Sequence, residues 1–305
     1  MRRFGGGIGG RPVKEIKTEG HAKINLALEV VGLRPDGYHE VRMFMQQIAL
    51  KDIITVRRTG GSGRHISITC NKPEVPTDHT NLAYKAAMLM LEMSESLENI
   101  EIEIEKHIPM EAGLAGGSAD CAAVLKAMND LFEMHLGEKS LCSLGAELGA
   151  DVPFCIVGGA AMATGTGTEI LPFMGFAPHE YYLVLCKPPV GAATREVYAA
   201  YDLRAEEIKQ TPRPDAMYIA GGISMGAPIR ALKRKMVNDL EYITGEWIPE
   251  IRDIEALMTE EGAVHAMMTG SGPTVVGIFE NKEEAAVAFS LLSEKYNETY
   301  ITTFA

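Results

Sequence analysis

A run of small residues near the middle of the chain most constrains its fold. The run begins at Pro109, and its glycines are Gly113, Gly116 and Gly117. Glycine has no Cβ, so the backbone there can take angles that other residues resist and can approach a ligand closely. Beyond the run, apolar residues recur at the spacing of one helix face, namely Cys121, Leu125, Met128 and Phe132. The pattern predicts a tight loop that leads directly into an amphipathic helix.

The start of this predicted helix suits a phosphate group. Ser118 and Asp120 are residue types that favour the first turn of a helix. A helix N-terminus presents unpaired N–H groups and a partial positive charge, and both attract an anion. Residues 100–104 alternate between isoleucine and glutamate, as in a strand. Strand, glycine loop and helix in this order favour a phosphate-binding loop, and a tight turn without a ligand remains the alternative.

Two common nucleotide motifs do not account for the loop. No Gly-Lys-Ser/Thr follows its glycines, and their spacing does not fit G-x-G-x-x-G. Residues 5–10 match that second pattern formally, but no strand precedes them. Residues 1–17 are therefore predicted to be a flexible leader.

Size and composition indicate a globular protein of two domains. A chain of 305 residues with 46% hydrophobic residues can bury a large core. Strands and helices mix without strict alternation, which is typical of an α+β fold, and the predicted domains span residues 18–175 and 176–305. The net charge of −12 argues against a nucleic-acid partner, and no apolar run is long enough to cross a membrane. Five scattered cysteines without a C-x-x-C are typical of reduced thiols in the cytoplasm.

Local patterns predict the individual elements. Strands are expected at residues 21–31, 41–50 and 53–57, with a break at Lys51 and Asp52. An Ala-, Leu- and Met-rich helix is expected at residues 82–93.

Four polar positions could carry chemistry. Lys23 and Asn25 share one face of a predicted strand, which is either a solvated face or the wall of a cleft. Tyr38 and His39 follow a turn, and an aromatic ring beside an imidazole can stack on and hydrogen-bond a flat base.

Two further segments have both a structural and a functional interpretation. Asp151 lies between a glycine and a proline, where it could cap a helix or accept a proton. Residues 270–273, Gly-Ser-Gly-Pro, could form a simple turn, or a second glycine loop that closes on phosphates or packs against the first.

The order of these segments along the chain resembles that of the GHMP kinases. The matching segments are Ala-Lys-Ile-Asn-Leu at 22–26, Pro-Asp-Gly-Tyr-His at 35–39, the glycine loop at 109–123, Gly-Ala-Asp-Val-Pro-Phe at 149–154 and Thr-Gly-Ser-Gly-Pro at 269–273. The second and fourth segments are most similar to those of the members that phosphorylate the 2-hydroxyl of 4-diphosphocytidyl-2-C-methyl-D-erythritol in non-mevalonate isoprenoid biosynthesis. The resemblance covers the chain from about residue 18 to its end.

The resemblance implies a fold and a set of roles. The N-terminal domain would be like domain 2 of ribosomal protein S5, and the C-terminal domain ferredoxin-like. Lys23 and Asp151 match the catalytic pair: Asp151 would take or orient the proton of the attacking hydroxyl, and Lys23 would keep Asp151 ionised and stabilise the developing alkoxide. The residues that match substrate-binding positions are Asn25, Tyr38, His39, Thr194 and Tyr198. Of these, His39 would hydrogen-bond cytosine, while Tyr38 and Tyr198 would stack on its two faces.

The resemblance also implies the phosphate donor. ATP, accompanied by Mg²⁺, would bind mainly to backbone N–H groups, with no tightly bound cofactor and no dedicated metal site. The residues expected to bind ATP are Pro109, Gly113, Leu114, Ala115, Gly116, Gly117 and Ser118. The other expected partner is a small molecule with a cytidine diphosphate group, and the protein would be a cytoplasmic monomer or homodimer.

Three residues depart from the family pattern. Ala115 stands where many members have a third glycine, Ala119 where serine is frequent, and Cys121 where alanine is frequent. Ala115 keeps the loop small but restricts its backbone angles. Two other functions remain open: a related kinase that acts on homoserine or mevalonate, and a binding or structural protein that has the fold without the activity.

Overall fold

The computed structural model describes residues 15–173 and 181–305. Within them, six strands form one sheet and four form another. The strands are β1 (Glu15–Leu33), β2 (His39–Gly60), β3 (Ile66–Cys70), β4 (Asn99–Glu105), β5 (Ala160–Thr164), β6 (Glu169–Phe173), β7 (Tyr182–Lys187), β8 (His265–Met268), β9 (Val275–Phe279) and β10 (Glu298–Thr303). The helices are α1 (Leu82–Met93), α2 (Gly116–Leu131), α3 (Glu138–Leu148), α4 (Val152–Val157), α5 (Thr194–Ile208), α6 (Ala216–Ser224), α7 (Ile229–Leu232), α8 (Glu241–Trp247), α9 (Glu250–Glu260) and α10 (Lys282–Ser293).

The second sheet has the strand order of a ferredoxin-like domain. Its strands lie in the order β10-β7-β9-β8, and every neighbouring pair is antiparallel. A β-α-β-β-α-β chain produces this order, with α5 to α9 in the first crossover and α10 in the second. The α+β class and the ferredoxin-like C-terminal domain are as predicted.

The predicted boundaries at the leader and between the domains lie mostly outside the described residues. Residues 1–14 and the predicted boundary at 175 and 176 belong to the two undescribed ranges. Residues 15–17, which the predicted leader included, already form the start of β1 and pair with residues 55–57 of β2. Including them in the leader was wrong, because strand pairing with β2 supplies the backbone partners that order them.

The predicted break at Lys51 and Asp52 is wrong, because β2 runs through both residues without interruption. The Asp52 side chain is fully buried, which a charge tolerates only with strong partners. Lys106 Nζ lies 2.6 Å from Asp52 Oδ2, and Asp52 Oδ1 accepts hydrogen bonds from the N–H groups of His107 and Ile108 at 2.6 and 2.9 Å. These contacts supply the Asp52 carboxylate with a counter-charge and hydrogen-bond donors. The strand therefore continues through a residue at which the sequence predicted a break.

Strand β4 shows why the alternating pattern predicted this part of the sheet correctly. Ile100, Ile102 and Ile104 are each 1% exposed, and the glutamates between them point to the other side of the sheet. β4 pairs with β2 on one side and β3 on the other, and helix α1 spans the predicted residues 82–93. Asn81 caps α1 by accepting a hydrogen bond from Ala83 N–H at 2.8 Å. Short elements such as β5, β6, α6 and α8 were not predicted, because they carry too few residues to show a period.

Strand β1 lies at the edge of its sheet and, among the described strands, pairs with β2 alone. Its register with β2 shifts between His21 and Lys23 and again between Asn25 and Ala27. The pairing of residues 21–27 with β2 is therefore less regular than that of an ideal strand pair.

The free edge of β1 donates four hydrogen bonds to three separate segments. The N–H groups of Lys23 and Leu28 donate to the carbonyls of Leu114 and Val237 at 3.1 and 3.0 Å. The N–H group of Asn25 donates to Thr269 Oγ1 at 2.9 Å, and that of Val30 donates to Asp239 Oδ2 at 2.8 Å. β1 therefore binds the first glycine loop and two segments of the C-terminal half along one edge.

Within residues 15–173 and 181–305, no helix is both long enough and apolar enough to cross a bilayer.

The buried carboxyl of Asp120 gives the stability of the protein a pH dependence that can be tested. Lys106 Nζ also lies 2.6 Å from Asp120 Oδ2, while Asp120 Oδ1 is buried without a hydrogen-bond partner in the described part of the chain. Burial raises the pKa of Asp120 to about 7, against the opposing charge of Lys106. Between pH 4 and 7 the folded protein thus holds a proton that the unfolded chain releases, so this group lowers stability as pH rises.

We expect Asp120→Asn to remove this contribution. Between pH 5 and pH 7.5, wild type should lose up to about 2 kcal/mol more free energy of unfolding than the variant. Urea unfolding of both proteins at the two pH values measures the difference. The other buried carboxyls are present in both proteins, so their effects cancel in the comparison. Equal losses of the free energy of unfolding in the two proteins would contradict the expectation.

Candidate active site

The first glycine loop ends in a helix N-terminus with free donors. Ala115 is the N-cap of α2, and the first helical hydrogen bond runs from Ala119 N–H to the Ala115 carbonyl at 2.9 Å. The N–H groups of Gly116, Gly117 and Ser118 precede that bond and have no backbone acceptor within the described residues. Three adjacent free donors at a helix start can attract an anion.

The side chains of Ser118 and Asp120 do not cap this helix, contrary to the sequence prediction. No side chain caps α2, and Asp120 is buried one turn inside it. Ala115 takes φ +58° and ψ +30°, the left-handed conformation that favours glycine. The alanine that departs from the family pattern therefore adopts the conformation that a glycine would adopt there.

The second glycine loop packs against the first. Gly113 has φ +72°, and a Cβ on it would lie 2.4 Å from the Thr269 carbonyl oxygen. A Cβ on Gly270 would lie 2.8 Å from the Gly113 carbonyl oxygen. Since neither position has room for a side chain, the two loops meet backbone to backbone. Of the alternatives for residues 270–273, packing against the first loop is the one observed.

Residues at the start of α8 hold the second loop in place. Asn238 Nδ2 donates to the carbonyls of Met268 and Gly270 at 3.0 and 2.8 Å. Thr244 Oγ1 donates to the Ser271 carbonyl at 3.1 Å. Asn238, Thr244 and Thr269 are almost completely buried, and no periodic pattern in the sequence indicates any of them.

Lys23 and Asp151 meet beside the first loop. Lys23 Nζ lies 3.9 Å from Asp151 Oδ2, which is an ion pair without a hydrogen bond. Lys23 Nζ donates instead to Asn25 Oδ1 at 2.8 Å. Lys23 is 4% exposed and Asn25 fully buried, so the solvated-face interpretation of this strand is wrong. The Asp151 side chain is 33% exposed and open to a substrate.

The turn before α4 places Asp151 next to the helix start of α2. Gly149 ends α3, and a Cβ on it would lie 3.7 Å from Ser118 Oγ. Asp151 is the N-cap residue of α4, but its side chain makes no capping hydrogen bond. The carboxylate is therefore held by the backbone of the turn and remains available for chemistry, instead of stabilising the helix.

Lys106 is a buried cation beneath the first loop that sequence reasoning missed. It is 4% exposed and bridges Asp52 and Asp120. A Cβ on Gly116 would lie 3.1 Å from Lys106 Nζ, so the ammonium touches the first residue of α2. The charges of Asp120 and Asp52 outweigh the effect of burial and raise the pKa of Lys106. The sequence signal that could have identified Lys106 is its position between the end of β4 and the first glycine loop.

A second group of predicted residues forms at the tip of the β1–β2 hairpin. The imidazole of His39 stacks on the ring of Tyr198, with centroids 4.6 Å apart and planes at 28°. His39 Nε2 lies 2.7 Å from Asp202 Oδ1. Tyr38 is 67% exposed and has no ring contact within the described residues. Tyr38 and Tyr198 do not enclose an empty slot in this conformation, because His39 covers a face of Tyr198.

Thr194 connects this region to the second loop, since its Oγ1 lies 2.7 Å from Ser271 Oγ. Pro109 and Leu114 are buried, so their side chains support the first loop and do not face a ligand. In the described part of the chain, no three His, Cys, Asp or Glu side chains are arranged to hold a metal ion.

Two family models match the chain. Residues 81–159 match the GHMP kinases N terminal domain, and residues 224–298 match the GHMP kinases C terminal domain. The first match contains the first glycine loop and Asp151, and the second contains the second glycine loop.

Curated relatives match almost the whole chain. A 4-diphosphocytidyl-2-C-methyl-D-erythritol kinase of Clostridium tetani is 42% identical over 94% of this chain and 99% of its own length. A protein of the same name from Acetivibrio thermocellus is 42% identical over 95% of this chain and 99% of its own length.

Solved structures show the same fold. A 4-(cytidine 5'-diphospho)-2C-methyl-D-erythritol kinase superposes with a TM-score of 0.77 at 30% identity, over 95% of this chain and 99% of that one. The mevalonate kinase of Methanococcus jannaschii superposes with a TM-score of 0.72 at 16% identity, over 96% and 99%. At that identity the second likeness concerns the fold alone.

The left-handed conformation of Ala115 predicts the effect of a glycine there. A side chain in this conformation costs about 1–2 kcal/mol, and the greater freedom of glycine in the unfolded chain offsets part of the gain. We expect Ala115→Gly to raise the free energy of unfolding by about 0.5–1 kcal/mol. Ala199→Gly, at an exposed position within α5, should lower it by about 1 kcal/mol. Urea unfolding measures both, and a loss of stability in both variants would contradict the argument.

Proposed function

Because this chain belongs to the GHMP kinases, and within them to the 4-diphosphocytidyl-2-C-methyl-D-erythritol kinases, we propose that it transfers the γ-phosphoryl group of ATP to the 2-hydroxyl of that alcohol. The observation that carries the proposal is the contact between the Lys23 backbone and the first glycine loop. Lys23 N–H donates to the Leu114 carbonyl at 3.1 Å, so the reactive side chains and the phosphate loop are fixed to each other.

The donor half of the reaction uses the first glycine loop. The N–H groups of Gly116, Gly117 and Ser118 would bind the phosphate oxygens of ATP, and the positive end of the α2 dipole adds to the attraction. Lys106 lies against Gly116 beneath the loop. Its positive charge is balanced by the neighbouring Asp52 and Asp120. Because the two packed loops hold these backbone N–H groups in place, the donors need not reorient when negative charge develops during phosphoryl transfer.

Mg²⁺ would enter together with ATP. Magnesium in kinases usually keeps water and phosphate ligands and takes few from the protein. The Ser118 hydroxyl in the first turn of α2 fits such a site. When bound, the metal neutralises charge on the phosphates.

The acceptor half uses Asp151 and Lys23. The partly exposed carboxylate of Asp151 accepts the proton of the 2-hydroxyl while the hydroxyl oxygen forms a bond to the γ-phosphorus of ATP. The bond between the γ-phosphorus and the oxygen that bridges it to the β-phosphate breaks, and ADP leaves with that oxygen. The 3.9 Å gap to Lys23 Nζ leaves both groups able to contact the same oxygen. Lys23 then stabilises the developing negative charge, and Asn25 fixes the direction of its ammonium group.

The cytidine end would bind near the β1–β2 hairpin. His39 supplies a hydrogen-bonding edge for cytosine, and Tyr38 and Tyr198 supply aromatic faces. Thr194 borders the second glycine loop and lies where the diphosphate would pass.

The proposed function is tested by ATP consumption with three alcohols: 4-diphosphocytidyl-2-C-methyl-D-erythritol, mevalonate and homoserine. We expect turnover of the first alone, with phosphate on the 2-oxygen. Turnover of mevalonate or homoserine but not of the cytidylyl alcohol would assign the chain to a different kinase reaction. No ATP binding in a thermal-shift titration would indicate a protein that has the fold without the activity.

The role of Asp151 gives a quantitative prediction. Asp151→Asn should lower kcat at least about 100-fold, the usual scale for loss of an acid–base group. The binding of ATP and of the cytidylyl alcohol should change little, and titration calorimetry checks this. Asp130→Asn makes the same chemical change at the exposed far end of α2 and should leave kcat unchanged. Near-wild-type turnover by Asp151→Asn would remove Asp151 from the mechanism.

A further inference from the structure

Helix α5 holds the imidazole of His39 on two sides. Tyr198 covers one face of the ring, and Asp202 lies 2.7 Å from its Nε2 atom. Tyr198 and Asp202 are four residues apart in α5 and therefore lie on the same helix face. The stack fixes the plane of the ring, and the carboxylate fixes its rotation within that plane.

We propose that Asp202 sets base specificity by holding His39 in the tautomer whose Nδ1 atom accepts a hydrogen bond from an exocyclic amino group of the base. The inference rests on the proposed function, because it assumes that the base of the acceptor substrate meets His39. Asp202 is a positioning residue in this role and does not itself touch the base.

The tautomer follows from the chemistry of the contact. An ionised carboxylate has no proton to donate, so at 2.7 Å the hydrogen belongs to Nε2. A neutral imidazole carries one N–H, and Nδ1 then presents a lone pair. Within the described residues His39 Nδ1 has no hydrogen-bond partner, so this lone pair is available to a ligand.

A lone pair at this position distinguishes the two pyrimidines. Cytosine carries an amino group on C4, which donates to Nδ1. Uracil carries a carbonyl oxygen at C4, so two acceptors would face each other and one polar contact would be lost. The selection for cytosine therefore originates on α5, in a residue that the base does not reach.

The contacts of Asp202 are consistent with this single role. His39 is its only hydrogen-bond or ion-pair partner in the described part of the chain, and its side chain is 40% exposed. The nearby Arg204 is already bound to Glu207 and Glu246. No other contact requires a carboxylate at position 202.

The tautomer can be measured without any assay of activity. Two-bond ¹H–¹⁵N NMR spectra of the unliganded protein at pH 8, with His39 assigned through His39→Gln, report which ring nitrogen is protonated. Wild type should show the Nε2–H form. In Asp202→Asn the side-chain amide can either accept from Nε2 or donate to it, so the Nδ1–H form should appear.

Kinetics test the consequence for specificity. kcat/KM is measured with the cytidylyl alcohol and with its uridylyl analogue, for wild type, Asp202→Asn and Glu206→Gln. The preference of wild type for cytidine should fall by about tenfold or more in Asp202→Asn, mainly through KM. Glu206→Gln removes a carboxylate one turn further along α5 that binds Lys209, and should keep the wild-type ratio.

The outcomes separate the two proposals. If wild type does not phosphorylate the cytidylyl alcohol, the proposed function fails, and the NMR result still decides the tautomer. The inference about Asp202 is overturned by an Nδ1–H or doubly protonated His39 in wild type. It is also overturned if Asp202→Asn keeps the wild-type substrate ratio, or slows both substrates equally, since a merely structural role gives that result.

Discussion

The unpaired edge of β1 is the constraint on which the rest of the site depends. An edge strand exposes a row of backbone donors that need acceptors. Here Lys23 and Asn25 donate to the first and second glycine loops, and Leu28 and Val30 donate to residues 237–239. One strand thus sets the position of both glycine loops and carries Lys23 between them. The register of β1 with β2 shifts beside Lys23 and Asn25, and the Lys23 ammonium lies 3.9 Å from Asp151.

The two glycine loops and the buried charges below them form the rigid side of the site. Gly113 and Gly270 bring the loops together at backbone distance, which no larger residue allows. Beneath them, Lys106 joins β2 to α2 through Asp52 and Asp120. Burying three ionisable groups together costs free energy, and Asp120 Oδ1 has no hydrogen-bond partner within the described residues. Because Lys106 lies against Gly116, the buried charges help to hold the first glycine loop in position, at some cost in folding stability.

Local patterns in the sequence identified much of the molecule. The Ile-Glu alternation predicted β4, and a run of strong helix formers predicted α1. The continuous β2 was missed because Asp52 is a strand breaker only without partners, and Lys106 lies 54 residues away in the chain. The N-cap of α2 was also misassigned, since Ser118 and Asp120 favour helix starts in general whereas Ala115 holds this one by backbone geometry.

Patterns among near neighbours in the sequence show which residue types are available for the reaction and in what order, because glycine runs, strand alternation and helix caps depend on adjacent residues. Tertiary structure decided which of them meet. Lys23 and Asp151 are 128 residues apart and come within 3.9 Å only through the packing of β1, α2 and α4. The pairing of His39 with Asp202, 163 residues away, depends likewise on the approach of α5 to the β1–β2 hairpin. Distances of this kind follow from long-range packing, which no local pattern encodes.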